Sequence, residues 1–142
     1  MKQMVWAAAA LALGAIATAP ASAQAGAGVT GVWSGYYGYD GGNPPNVMFQ
    51  MNVAARGRTF TANTVEPNTF GDRTTWFLTA DVAGTLDANG GIHFVKTYDG
   101  TGGQTHSVQY DGVIAGRCIT GRWAIGAAGG PFKICSDAQL VS

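Results

Sequence analysis

The stretch HSVQYDGVIAGRCITGRWAI, His106 to Ile125, decides the fold. Apolar and polar residues alternate through it with period two, and Ala115-Gly116 falls where a two-residue turn would reverse the chain. With the turn there, Ile114 lies opposite Arg117, Gly112 opposite Ile119, Tyr110 opposite Gly121 and Val108 opposite Trp123. One face then carries His106, Val108, Tyr110, Ile119, Trp123 and Ile125, and the other Ser107, Gln109, Asp111, Thr120 and Arg122. Side chains alternate strictly along a strand, so a one-residue slip would set the apolar group against the polar one. The stretch is a β-hairpin with one dry face and one wet face.

The same alternation recurs on both sides of it. It predicts strands at about Gly31–Tyr39, Val47–Ala54, Thr59–Val65, Trp76–Leu86, Gly91–Tyr98, His106–Ile114, Arg117–Ile125 and Pro131–Cys135. The links DGGNPPN, ARGR, EPNTFGDR, DANG, DGTGGQT, AG and GAAGG are rich in turn formers. The single glutamate, Glu66, falls in one of these links. Eight sequential antiparallel strands with short links predict an all-β fold, a single up-and-down barrel over residues 31–136, which closes on itself and leaves no edge. The DANG turn sets Leu86 opposite Ile92, Gly84 opposite Phe94 and Val82 opposite Lys96. A ring therefore faces a glycine twice, Phe94 over Gly84 and Tyr110 over Gly121, as at the corners of a barrel. Centring the last hairpin on Gly126–Gly129 sets Trp123 opposite Gly130 and Cys118 opposite Cys135. That pairing predicts a disulfide on the outer face, closing a loop of about 18 residues and worth about 3 kcal/mol.

The chain has 142 residues, and its first part stands outside this pattern. Lys2, an apolar run from Val5 to Ala19 and the small residues Ala21-Ser22-Ala23 have the order of a secretory signal peptide. The expected division is a signal peptide at 1–23 cleaved after Ala23, a short flexible segment at 24–30, the barrel, and a tail at 137–142. The expected location is secreted or periplasmic, with no stable membrane anchor. Charged residues make up 11% of the chain, with 8 basic against 8 acidic and no basic run, which argues against nucleic acid as a partner.

Gly31-Val32-Trp33 resembles the G-x-W signature that opens lipocalins and other calycin barrels, and Gly121-Arg122-Trp123 followed by Gly130-Pro131-Phe132 is similar to avidin-type barrels. The segments Phe94–Gly100 and His106–Tyr110 resemble a pattern of small exported calycin-like domains of bacterial type. The resemblance implies a calycin-type barrel that binds something in or on itself. The T-D-Y turn and late arginine of lipocalins are not found, and the biotin-contacting positions of avidins do not map onto the chain, so it names no ligand.

Register places Lys96 on the inner face with Phe94, Tyr98, His106, Val108 and Tyr110. An interior lysine is costly unless paired or wet. One interpretation gives Lys96 and His106 an anionic or hydrogen-bonding ligand group; the other lets Lys96 snorkel to the mouth, or turns it outward by a slip of its hairpin. Candidate ligand-binding residues are Lys96, Tyr98, His106, Tyr110, Trp123 and Trp33; the aromatic ones among them belong to a set of Trp33, Trp76, Phe94, Tyr98, Tyr110, Trp123 and Phe132. That set either fills the core or rims an apolar cavity. Tyr36, Tyr37 and Tyr39 with the DGGNPPN loop form a second, surface candidate for protein or glycan contacts. His93 faces outward and both cysteines are committed, so no metal site is expected, and no cofactor. Adjacent His106 and Ser107 point to opposite faces and cannot form a nucleophile–base pair. The expectation is a non-catalytic exported barrel that binds a small, partly apolar ligand in or at its mouth. The alternatives are a protein-interaction module, such as a secreted inhibitor of proteases or lysozyme, and a barrel enzyme of the cyclase or isomerase kind.

Overall fold

The computed structural model describes residues Gly28 to Asp137; the expected signal peptide and the residues from 138 onward lie outside them. Eight strands, β1 (Gly31–Tyr37), β2 (Val47–Arg56), β3 (Thr59–Pro67), β4 (Phe77–Leu86), β5 (Gly91–Tyr98), β6 (Ser107–Ala115), β7 (Cys118–Ile125) and β8 (Ala128–Ser136), follow one another in sequence. Each pairs antiparallel with its neighbours, and β8 returns to β1, so the sheet is a closed up-and-down barrel. Closure satisfies every strand edge within the chain. No helix among the described residues is long and apolar enough to cross a membrane.

Alternation builds the wall. In β3 the residues Phe60, Ala62, Thr64 and Glu66 are buried while their neighbours face water, and β5 buries Ile92, Phe94, Lys96 and Tyr98 in the same way. The inward set forms one core running from Val29 and Trp33 at one end to Tyr37 and Trp123 at the other. The two ends differ. Short turns at Gly57-Arg58, 87–90 and Gly116-Arg117 close the first, and the described chain both enters and leaves there. The longer links 38–46, 68–76 and 99–106 surround the second, which is the mouth.

The β4–β5 register is as expected, with Leu86 opposite Ile92, Gly84 opposite Phe94 and Val82 opposite Lys96. The β7–β8 register also agrees, with Trp123 opposite Gly130 and Cys118 opposite Cys135, and those cysteines form the disulfide. The β6–β7 register differs. Gly116, at φ 61°, makes the turn with Arg117, so Ile114 pairs with Ile119, Gly112 with Gly121 and Tyr110 with Trp123. Only glycine adopts this left-handed conformation cheaply at the first turn position, which places the turn one residue later than Ala115-Gly116. The shift changes each partner by two, so both faces survive while the expected Tyr110–Gly121 pair does not.

Trp76, expected to fill the core or rim a cavity, is 88% exposed. β4 begins at Phe77, and Leu78 is the first of its residues to point inward and be buried. Trp76 precedes the strand and stands on the rim.

On the outer wall His93 is fixed by two carboxylates. Its Nδ1 lies 2.6 Å from Asp111 Oδ1, and its Nε2 3.6 Å from Asp87 Oδ2. The hydrogen bond to Asp111 raises the imidazole above its ordinary 6.5. A pKa raised in the folded state stabilises the fold fully below pH 6.5 and loses that contribution as the pH rises through the shifted value. NMR titration is expected to put His93 above 6.5, and Asp111→Asn to bring it back down with the loss of that slope in stability.

Candidate functional site

Four buried polar side chains meet inside the barrel, below the mouth. Lys96 (β5) is fully buried, and its ammonium pairs with Oε2 of Glu66 (β3), also fully buried. The hydroxyls of Tyr37 (β1) and Tyr98 (β5) donate to Glu66 Oε1 at 2.9 and 2.7 Å. The carboxylate thus receives three donors, the condition under which a buried charge is tolerated. The Lys96 ammonium also lies 4.7 Å from the Tyr98 ring centroid, 5.1 Å from that of Tyr37, 5.4 Å from Phe49 and 5.9 Å from Tyr110. Electron-rich ring faces replace part of its lost hydration.

Electrostatics follow from burial. It lowers the Lys96 pKa, while the charge and hydrogen bond of Glu66 oppose the shift. The phenols of Tyr37, Tyr98 and Tyr110 are pushed above their ordinary range, first by burial and then by the Glu66 charge. They remain protonated, and Tyr37 and Tyr98 stay hydrogen-bond donors to the carboxylate.

Above this floor, two aromatic groups line a recess of about 170 Å³ that opens at the mouth. Tyr37, Tyr39 and Trp123 form one group, edge-on to each other with centroids 5.2 to 6.0 Å apart. Trp123 is anchored by its indole N–H, which donates to the Gly38 carbonyl at 2.6 Å. Phe70, Tyr98 and His106 form the other, with centroid separations of 5.5, 5.9 and 4.7 Å. Between them lies Tyr110, stacked on Phe94 at 4.7 Å. Phe70 belongs to the 68–76 loop, which Asn68 holds in shape by donating to the carbonyls of Asp72 and Thr75 and accepting from the Gly71 amide.

Of the residues expected at the site, Tyr98, His106, Tyr110 and Trp123 share this recess. Lys96 faces inward, opposite Val108 in the β5–β6 register. It sits beneath the recess, fully buried against Glu66. Trp33 lies at the closed end, where its indole N–H donates to the Val29 carbonyl at 2.9 Å. The tyrosines expected together on the surface separate: Tyr37 is buried, Tyr39 lines the recess, and Tyr36 faces out from the β1 wall.

Glu66 corrects the sequence-based expectation most. It lies not in a link but in the last inward position of β3, which runs on to Pro67. The turn-rich EPNTFGDR hides this, yet two signals were present: the alternation of Phe60, Ala62 and Thr64 continues to Glu66, and an inward lysine requires an acidic partner. The chain matches no protein-family model, no curated protein and no solved structure.

Proposed function

We propose that this is an exported, non-catalytic barrel of calycin-like architecture that holds a small, partly apolar ligand at its mouth. The observation that carries the proposal is the aromatic recess between Tyr39, Phe70, His106 and Trp123. At about 170 Å³ it is close to the roughly 150 Å³ cavity that accepts benzene in an engineered protein, so it suits one ring or one branched apolar group. Convergent apolar walls with a few polar tips are the usual form of a small-molecule site. The disulfide and the signal-peptide pattern at 1–23 support export.

Binding is favoured over acid–base chemistry by Lys96 and Glu66, which have no solvent-exposed surface. A general acid or base must come within hydrogen-bond reach of its substrate. Binding is also favoured over inhibition through the 68–76 loop, which is tied back on itself and whose Phe70 packs onto Tyr98.

Titration with single-ring probes (phenol, indole, cyclohexanol), followed by NMR of the Trp123 indole N–H and the His106 ring, tests this proposal. The expected result is saturable shifts at both residues, abolished by Ala128→Trp, which fills the recess from its rim. If no probe shifts them at millimolar concentration, and protein isolated from its source shows no retained ligand by native mass spectrometry, the proposal fails.

A further inference from the structure

The 68–76 loop carries a second recess, different in chemistry from the mouth. Residues 68–76 alone line it, and its volume is about 570 Å³, within the roughly 300–1,000 Å³ of ordinary small-molecule sites. Phe70 lines both recesses, one ring between an aromatic mouth and a polar loop.

The loop keeps its shape through its own polar groups. At its base the Asn68 amide donates to the Trp76 carbonyl at 2.9 Å, and the Asp72 amide joins the loop to the 99–106 link by donating to the Gly102 carbonyl at 2.8 Å. The Asn68 side chain bonds Gly71, Asp72 and Thr75 from within. Asp72 Oδ1 accepts from the Thr74 amide and hydroxyl, and the Thr75 hydroxyl closes onto Phe77. A loop tied at so many points presents its remaining groups in fixed positions, which lowers the ordering cost of binding.

Four groups take no part in that network. Trp76 holds its indole 88% exposed, on a backbone fixed by Asn68. Asp72 Oδ2, the Arg73 guanidinium and the Thr69 hydroxyl make no hydrogen bond among the described residues, and all three side chains are exposed. The bonds from Thr74 hold the Asp72 carboxyl below its ordinary range, so it stays an acceptor. The recess thus offers an aromatic face, a carboxylate oxygen, a guanidinium and a hydroxyl, with one positive charge against one negative.

An anion gains little from a lone arginine beside a carboxylate, and a purely apolar ring would leave both charged groups without partners. A pyranose matches all four groups. Its slightly positive C–H face stacks on the electron-rich indole face. Its vicinal hydroxyls donate to a carboxylate and accept from a guanidinium or a hydroxyl.

We infer that the recess of the 68–76 loop is a saccharide-binding site, with Trp76 as the platform under the sugar ring and Asp72 and Arg73 as partners of its hydroxyls. The test is NMR titration of the disulfide-intact chain with the methyl glycosides of glucose, galactose, mannose and N-acetylglucosamine and with cellobiose, to about 50 mM. At least one is expected to shift the Trp76 indole N–H saturably while the Trp33 and Trp123 indoles stay in place, and to do the same in Ala128→Trp, whose mouth is filled. Trp76→Ala is expected to weaken that binding by about tenfold or more, read at the Gly71 and Thr74 amides, with Trp76→Phe restoring part of it. Neither variant should change the circular dichroism, because the side chain is exposed. A panel in which no saccharide shifts Trp76 overturns the inference, as does an affinity indifferent to Trp76→Ala. A shift lost in Ala128→Trp also overturns it, and assigns the sugar to the mouth, whose own reading then stands.

Discussion

Glu66→Gln is expected to remove about 3–5 kcal/mol of stability, the usual cost of leaving one member of a buried ion pair without its partner. Glutamine keeps the shape and an acceptor oxygen for Tyr37 and Tyr98, so the loss reports on Lys96, which is fully buried against this carboxylate. The sign of the pH dependence provides a second check. Burial already lowers the Lys96 pKa, and Glu66 is what opposes that shift. Without Glu66 the folded pKa falls further below the ordinary 10.5, so the folded state binds fewer protons than the unfolded state in between. Stability of the variant then rises with pH through that interval, more steeply than in the wild type. Glu66→Met combined with Lys96→Met is expected to recover most of the loss, because a well-packed apolar pair often matches a buried ionic one. The two tyrosine hydroxyls left without an acceptor set the remainder. Urea unfolding of the two variants beside the wild type measures all of this, and a loss below about 1 kcal/mol in Glu66→Gln would contradict a dry pair.

The second large effect is expected at the seam where β8 returns to β1. Gly35 pairs with Phe49 on one side and Ile134 on the other. A Cβ at this position would lie 2.7 Å from Ile134 Cα and run into the Lys133 carbonyl oxygen. Both obstacles are backbone, so no side chain can swing aside and the strands themselves must part. Gly35→Ala is expected to cost more than about 3 kcal/mol, at or beyond the upper range for overpacking. The damage should be local at first. Native-state hydrogen exchange is expected to show amides of the β1–β8 ladder losing protection while those of the β3–β4 ladder keep theirs. An unchanged unfolding midpoint would mean that the seam can widen freely.

The barrel was legible in the sequence because alternation and turn residues recur from one strand to the next and keep the same dry face. The β4–β5 register followed from DANG and the β7–β8 register from centring on Gly126–Gly129, and both hold in the structure. The β6–β7 pairing slipped by two because Ala115-Gly116 and Gly116-Arg117 both look like two-residue turns, and the dry face is the same for either. The interior ion pair was half legible. Lys96 stood out as a charge with inward parity, but its partner was disguised by the Pro67 and Asn68 that follow it. The recess was less legible still. Phe70 reaches Tyr98 and His106 only because the 68–76 loop folds back through the hydrogen bonds of Asn68, and no periodicity encodes a loop's return. Trp76 marks the opposite limit: parity extended past the end of a strand predicts an inward residue where the chain has already left the wall.

Both ends of the described chain lie on the side away from the recess. Val29 is buried beside Trp33, and at the other end the Asp137 amide donates to the Val32 carbonyl at 3.0 Å. Ser34 adds a hydrogen bond to the Asp137 carboxylate at 2.9 Å. A tether, affinity handle or fused domain joined at either end therefore departs from the closed end and leaves the aromatic mouth unobstructed. Immobilised through either terminus, the barrel presents its mouth outward, and the Gly57-Arg58 turn, beside those same ends, is a natural place to reopen the chain in a circular permutant.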